Sequence, residues 1–193
     1  MMEMDKEINK IADYYGFEAQ SRQLIEELAE LMLELDTYIY CCDRYNYIHL
    51  QQILGEMADV RIMLKQYTYL IQKNYPRHVF KYEDNVVYKH DLVEINKNIR
   101  NSCLRMIIVI NKFCRNKNEQ LISTLFDSIN EIDNLIRNLR SELNIPWTEI
   151  TEQEAYKVKR QLTRIGLENL EKKEETPEVI IPLKSIKTNK LDK

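Results

Sequence analysis

The sequence predicts an all-α protein: an antiparallel helical bundle built from two helical hairpins, with a C-terminal helix and a mobile tail. Three observations carry that prediction. Glycine and proline number only 3 and 4 in 193 residues, too few for the many turns of a β architecture. Apolar residues make up 44% of the chain and recur at the three-and-four spacing of amphipathic helices. Breaks in that spacing coincide with Gly16, Pro76 and Pro146, residues that stop helices or begin them.

Residues 1–73 form the first hairpin. A short helix over residues 1–15 ends at Gly16, and Tyr14, Tyr15 and Phe17 beside it read as a packing surface or as an aromatic wall for a base. The first long helix runs over residues 19–42, residues 43–47 turn the chain, and the second long helix covers residues 47–73. Residues 74–90 are a connector in which VFKYEDNVVY (79–88) suits a small β-hairpin or an ordered strap.

Residues 91–146 form the second hairpin, with helices over 91–115 and 118–144. It reads as a faded copy of the first. A shift of 75 positions matches Leu24, Leu28, Leu31, Leu35 and Tyr38 with Ile99, Cys103, Met106, Ile110 and Phe113. A shift of 72 matches Ile53, Met57, Val60, Leu64 and Tyr67 with Leu125, Ile129, Ile132, Ile136 and Leu139. Chance alignment of two amphipathic hairpins stands beside duplication as an explanation.

Residues 147–170 form the C-terminal segment, whose helix, over about residues 152–170, is opened by a capping box at Thr151 and Glu154. Its cations Lys157, Lys159, Arg160 and Arg164 fit a solvated charged face, with contact to a triphosphate as the competing reading. Residues 171–193 mix charges with Pro177 and Pro182 and read as a mobile tail holding the apolar segment VIIPL (179–183).

Bulk properties narrow the function. A net charge of −3 supplies no basic field for nucleic acid or an anionic membrane. The longest strongly apolar run, residues 106–110, falls far short of the roughly 18 residues that suggest a span. The charged start of the chain is unlike a signal peptide. Cys41, Cys42, Cys103 and Cys114 lack C-x-x-C spacing, so a cytoplasmic protein with reduced thiols is expected.

The chemistry concentrates in RQLIEELAEL (22–31) and ILGEMADVRIML (53–64), which place Glu27 with Glu30 and Glu56 with Asp59 at i,i+3. On both helices the carboxylates border the apolar stripe. Packing the stripes together therefore brings four acids into one partly desolvated place, where they repel and lose hydration. A hard divalent cation relieves both costs, Mg²⁺ above all, with waters and substrate phosphates completing its shell. Solvated helix surface is the plainer alternative. Arg61 and Lys65 lie about 140° and 180° round the helix from Glu56 and face away from the acids.

E-E-x-x-E (Glu26, Glu27, Glu30) followed by E-x-x-D (Glu56, Asp59) resembles the metal signature of the all-α nucleoside triphosphate pyrophosphohydrolases, the MazG-like enzymes and dimeric dUTPases. The run YYGFEAQSRQLIEE (14–27) is similar to the MazG-like version, in which Gln20 and Gln23 lead into the acidic helix. The resemblance covers roughly the first 70 residues. Gly55 departs from it, standing where the family often doubles the acid.

The resemblance implies Mg²⁺-dependent hydrolysis of a nucleoside triphosphate, most simply a deoxynucleotide, to monophosphate and pyrophosphate, with Mn²⁺ as an alternative ion. Glu27, Glu30, Glu56 and Asp59 would hold the metal, Glu26 would be an outer acid or water-positioning base, and Gln20 and Gln23 would contact substrate. A second hairpin that completes the bundle in cis implies a monomer, with a homodimer as the alternative. A ferritin-like di-iron bundle requires Glu-x-x-His pairs, and neither acidic helix has one. A non-enzymatic helical interaction or regulatory protein retaining the fold is the remaining alternative.

Overall fold

Among the described residues, apolar stripes on four of the five α-helices meet in one core, and the acids lie along the edge of that core. The structure is a computed structural model that describes residues 2–41, 47–83 and 91–174. Helix α1 (Met2–Asp36) is two helical stretches joined at Gly16, whose backbone at φ 77°, ψ 174° leaves the helical region. Nothing lies within 4 Å of where a Gly16 Cβ would stand, so the torsion, and not crowding, calls for glycine. The helix ends in a π-helical turn, Thr37–Cys41.

Helix α2 (Tyr47–Asn74) runs antiparallel to α1. Asp13, near the start of α1, accepts hydrogen bonds from the Tyr69 hydroxyl at 2.9 Å and Lys73 Nζ at 2.6 Å, near the end of α2. Helix α3 (Leu92–Asn116) begins where the Asp91 side chain accepts from Glu94 N at 2.9 Å, an N-cap that satisfies an otherwise orphaned donor. It ends at Lys117, which adopts the left-handed conformation at φ 49°. Helix α4 (Leu121–Glu142) returns alongside it. Asn96 and Arg100 donate to Asp36 at 2.8 Å and 3.2 Å, tying the start of α3 to the end of α1.

Every apolar residue matched by the two shifts is buried, from Leu24 and Leu28 on α1 to Ile136 and Leu139 on α4. Together they belong to one cluster spanning α1, α2, α3 and α4. Residues of α3 and α4 thus share one core with those of α1 and α2.

No strand forms among the described residues of the connector. Residues 75–83 are a strap laid on α4: Phe80 packs on Phe126 with ring centres 5.2 Å apart, and Asn130 donates to Lys81 O at 3.0 Å. The expected hairpin tip at Asp84 and Asn85 lies outside the described residues, as do residues 43–46 of the expected turn over 43–47 and residues 175–193 of the expected tail. Tyr47 already belongs to a helix, and residues 171–174, expected in the tail, continue the last helix.

Helix α5 (Trp147–Glu174) corrects the expected helix start. Thr151 is not a cap; its hydroxyl donates back to Thr148 O at 2.9 Å, inside the helix. The helix begins earlier because its first turn is anchored by contacts the local sequence does not reveal. Ile150 is fully buried, and the Trp147 ring lies 4.5 Å from the Arg61 guanidinium carbon, with Arg137 and Arg140 close by. Glu154, expected to cap, is instead fully buried and accepts from Arg61 Nε at 2.6 Å and Lys65 Nζ at 2.7 Å.

Arg61 also pairs with Asp133 on α4. Arg61 and Lys65 therefore do face away from the acids, and what they face is the seat of α5. A small second core of Ile8, Ile11, Ile62 and Val158 fastens the first stretch of α1 and α5 onto α2. Among the described residues no helix is long and apolar enough to cross a membrane.

Candidate functional site

Helical spacing sets Glu27 and Glu30 on one edge of the α1 stripe and Glu56 and Asp59 on one edge of the α2 stripe. Packing of α1 against α2 brings the two edges together. Carboxylate oxygens of Glu27, Glu30 and Glu56 lie within 4.8 Å of one another. Asp59 is beside them but otherwise engaged: its Oδ2 pairs with Lys157 Nζ, delivered by α5, and both side chains are largely buried.

The electrostatics follow from this crowding. Burial, and then the charge of Asp59, push the Glu27 carboxyl up to about 7, although a hydrogen bond from Gln23 works the other way. Burial and Asp59 push Glu56 up to about 7 as well, with Lys157 opposing and Glu30 and Glu34 adding to the rise. The Glu56 Oε2 and Glu34 Oε2 atoms are buried without a hydrogen-bond partner. Three converging carboxylates, an orphaned acceptor and mutual repulsion are the conditions a hard, oxygen-seeking divalent cation relieves. The donor set fits Mg²⁺ or Mn²⁺, which both take carboxylate oxygens.

A cavity of about 360 Å³ opens beside the acids. Its walls include Glu27 and Glu30 of α1, Asp59 of α2 and Arg160, Gln161 and Arg164 of α5, together with Tyr15, Gln20 and Gln23. Gln20 is 3% exposed, and the Gln23 amide donates to Glu27 Oε1 at 2.7 Å, fixing that carboxylate's direction. Both glutamines singled out by the resemblance thus line the cavity. Glu26 does not: it is exposed and outside the cavity lining. Of the three aromatics, Tyr15 lines the cavity, whereas Phe17 is a packing residue against Tyr67 and Phe113.

The α5 cations fit both readings: Arg160 and Arg164 are exposed, yet they line the cavity beside the acids, and Lys157 pairs with Asp59. Lys157, Arg160, Gln161 and Arg164 recur every three or four positions, so they share one face of the helix, and that face meets the acids. Lys159 falls out of phase, exposed like Arg160 and Arg164 but outside the cavity lining. The spacing was visible in the sequence; what it lacked was any sign of where α5 docks.

The second hairpin repeats the site's position but not its chemistry. By the same shifts Glu27, Glu30, Glu56 and Asp59 correspond to Ser102, Arg105, Ser128 and Glu131. Ser102 Oγ donates to Glu131 Oε1 at 2.8 Å, and Arg105 donates to the same oxygen at 2.6 Å. Three of the four equivalent positions converge, and a guanidinium provides the positive charge.

A second cavity, about 390 Å³, lies between the start of α1, α2, the strap and α4. The cations on its wall, Arg61, Lys65 and Arg137, are already paired with Glu154 and Asp133. Compared with known protein families, with curated proteins and with solved structures, the chain finds no match.

Proposed function

We propose that the chain is a Mg²⁺-dependent pyrophosphohydrolase that cleaves a nucleoside triphosphate, a deoxynucleotide in the simplest case, to monophosphate and pyrophosphate. One observation carries this reading: acids of α1 and α2 and cations of α5 line one cavity, and Lys157 of α5 pairs with Asp59. Carboxylates alone suit a metal, and guanidinium groups alone suit an anion. Lining one cavity together, they suit a phosphate chain bridged to a metal.

Glu27, Glu30 and Glu56 would hold the ion, with Asp59 as the further carboxylate within reach. The ion's contribution when bound is to neutralise phosphate oxygens as a Lewis acid. Arg160 and Arg164 take the outer phosphates, matching their planar donors to phosphate oxygens. Gln23 keeps Glu27 oriented, and Tyr15 and Gln20 border the part of the cavity left for the nucleoside. Water adds to the α-phosphorus, the α–β bridging bond breaks, and pyrophosphate leaves. No nucleophilic serine or cysteine lines this cavity among the described residues.

The test is a panel of canonical and modified nucleoside triphosphates incubated with Mg²⁺, with products separated in a pyrophosphatase-free assay. Monophosphate and pyrophosphate are expected, with Asp59→Asn losing nearly all turnover while remaining folded. Orthophosphate as the first product would rule the assignment out. Metal-dependent stabilisation without turnover on any substrate would instead favour a non-enzymatic binding protein.

A further inference from the structure

Lys157 stands where a passive surface lysine would not. Its side chain is 13% exposed, its ammonium pairs with Asp59, and that ammonium lies 3.7 Å from where a Cβ on Gly55 would stand. The lysine ammonium thus packs against α2 at Gly55, at ordinary contact distance, one turn before Asp59. Asp59 is left outside the group of three carboxylates whose oxygens converge. The same helical face carries Arg160 and Arg164 to the cavity, and Lys157 lies one turn before them on that face, paired with Asp59 of the cavity wall.

We propose that Lys157 is a built-in counter-ion of the site. It holds Asp59 until bound phosphates draw its ammonium away, so that Asp59 joins the other carboxylates only when a polyphosphate is present. Metal and polyphosphate then assist one another through a shared residue, because whatever releases the Lys157–Asp59 pair helps both ligands bind. Such coupling is reciprocal: the factor by which phosphate improves metal binding equals the factor by which metal improves phosphate binding. The inference rests on the reading of Glu27, Glu30 and Glu56 as metal-binding residues.

The experiment uses the full chain and two probes applied separately by calorimetry, Mn²⁺ alone and inorganic tripolyphosphate alone, the latter with chelator. Lys157→Met is expected to bind Mn²⁺ about tenfold more tightly than wild type, because Asp59 is released. Tripolyphosphate binding to the same variant should weaken by a similar factor. Asp59→Asn should do the reverse, weakening Mn²⁺ and tightening tripolyphosphate, because Lys157 is then unpaired. Lys157→Arg should restore wild-type behaviour and covers the case in which the methionine variant fails to fold. Lys159→Met, which removes an exposed charge from the same helix, should change neither.

Lys157→Met or Lys159→Met binding Mn²⁺ equally tightly would reduce the effect to general charge and overturn the counter-ion role. So would Lys157→Met binding no better than wild type, while Glu56→Gln still abolished the binding. If Mn²⁺ bound neither wild type nor Lys157→Met, the metal reading and this inference would fall together.

Discussion

Glu154 and Arg61, 93 positions apart, share a 2.6 Å charged hydrogen bond in which neither side chain is more than 8% exposed. Lys65 completes the Glu154 carboxylate and Asp133 a second side of Arg61. This network seats α5, and α5 delivers the cations that face the acids.

Removing one member of a buried charged network leaves the others desolvated, at a typical cost of about 3 kcal/mol. Glu154→Ala should lose stability on that scale in urea unfolding, and should loosen the amides of α5 in hydrogen exchange ahead of those of α3 and α4. Glu154→Gln, which keeps a hydrogen-bonding oxygen, should lose less. A loss near zero for the alanine variant would mean that Trp147, Ile150 and Val158 seat the helix without the network.

The acids give the metal-free protein a pH dependence of definite sign. Glu27 and Glu56 are raised from 4.5 to about 7 in the folded chain. The folded state therefore binds more protons than the unfolded state between those values, and stability falls as pH rises from 4.5 through 7. Denaturant midpoints at pH 5 and pH 8 should differ in that direction, and Glu56→Gln should flatten the difference. Saturating Mg²⁺ should narrow it, since the ion takes over the role of the proton. A wild-type midpoint higher at pH 8 than at pH 5 in chelator would contradict the crowding of these carboxylates.

Added Mg²⁺ or Mn²⁺ should raise thermal stability by preferential binding to the folded state, by about 2.7 kcal/mol at roughly 100 times Kd. Glu30→Ala and Glu56→Ala should remove most of that gain. Glu34→Ala should remove less, because Glu34 adds charge near Glu56 but lies outside the three converging carboxylates. Equal responses from all three variants would indicate charge screening in place of a defined site.

The second hairpin offers a reciprocal check. If Arg105 supplies in α3 the charge balance that a cation would supply beside α1, replacing Ser102 and Arg105 by glutamate should rebuild three facing acids with Glu131. In a Glu56→Gln background, the Ser102→Glu, Arg105→Glu chain should be less stable than its parent in chelator and recover with Mn²⁺. Absence of any Mn²⁺ response would show that the two hairpins share a packing register without sharing a site geometry.

Much of this protein was legible in the residues themselves. The three-and-four spacing of Leu24 to Leu35 and of Ile53 to Tyr67 determined both the helices and the faces they bury, because a helix repeats every 3.6 residues whatever surrounds it. The same periodicity placed Glu27, Glu30 and Glu56 at the edge of the buried stripe, so their convergence followed once the stripes met. Gly16 marked a break that no other residue makes as cheaply.

The docking of α5 was decided by tertiary structure alone. Thr151 and Glu154 match a capping box by spacing, but Glu154 is claimed by Arg61 and Lys65, and Trp147 starts the helix a turn earlier among arginines from α2 and α4. Asp59 likewise shares its helical edge with Glu56, yet it is held by Lys157 from 98 positions away. Local spacing states which face of a helix a side chain occupies. Which opposite charge meets it there depends on how distant helices pack, because ion pairing is set by distance in space and burial, not by separation along the chain.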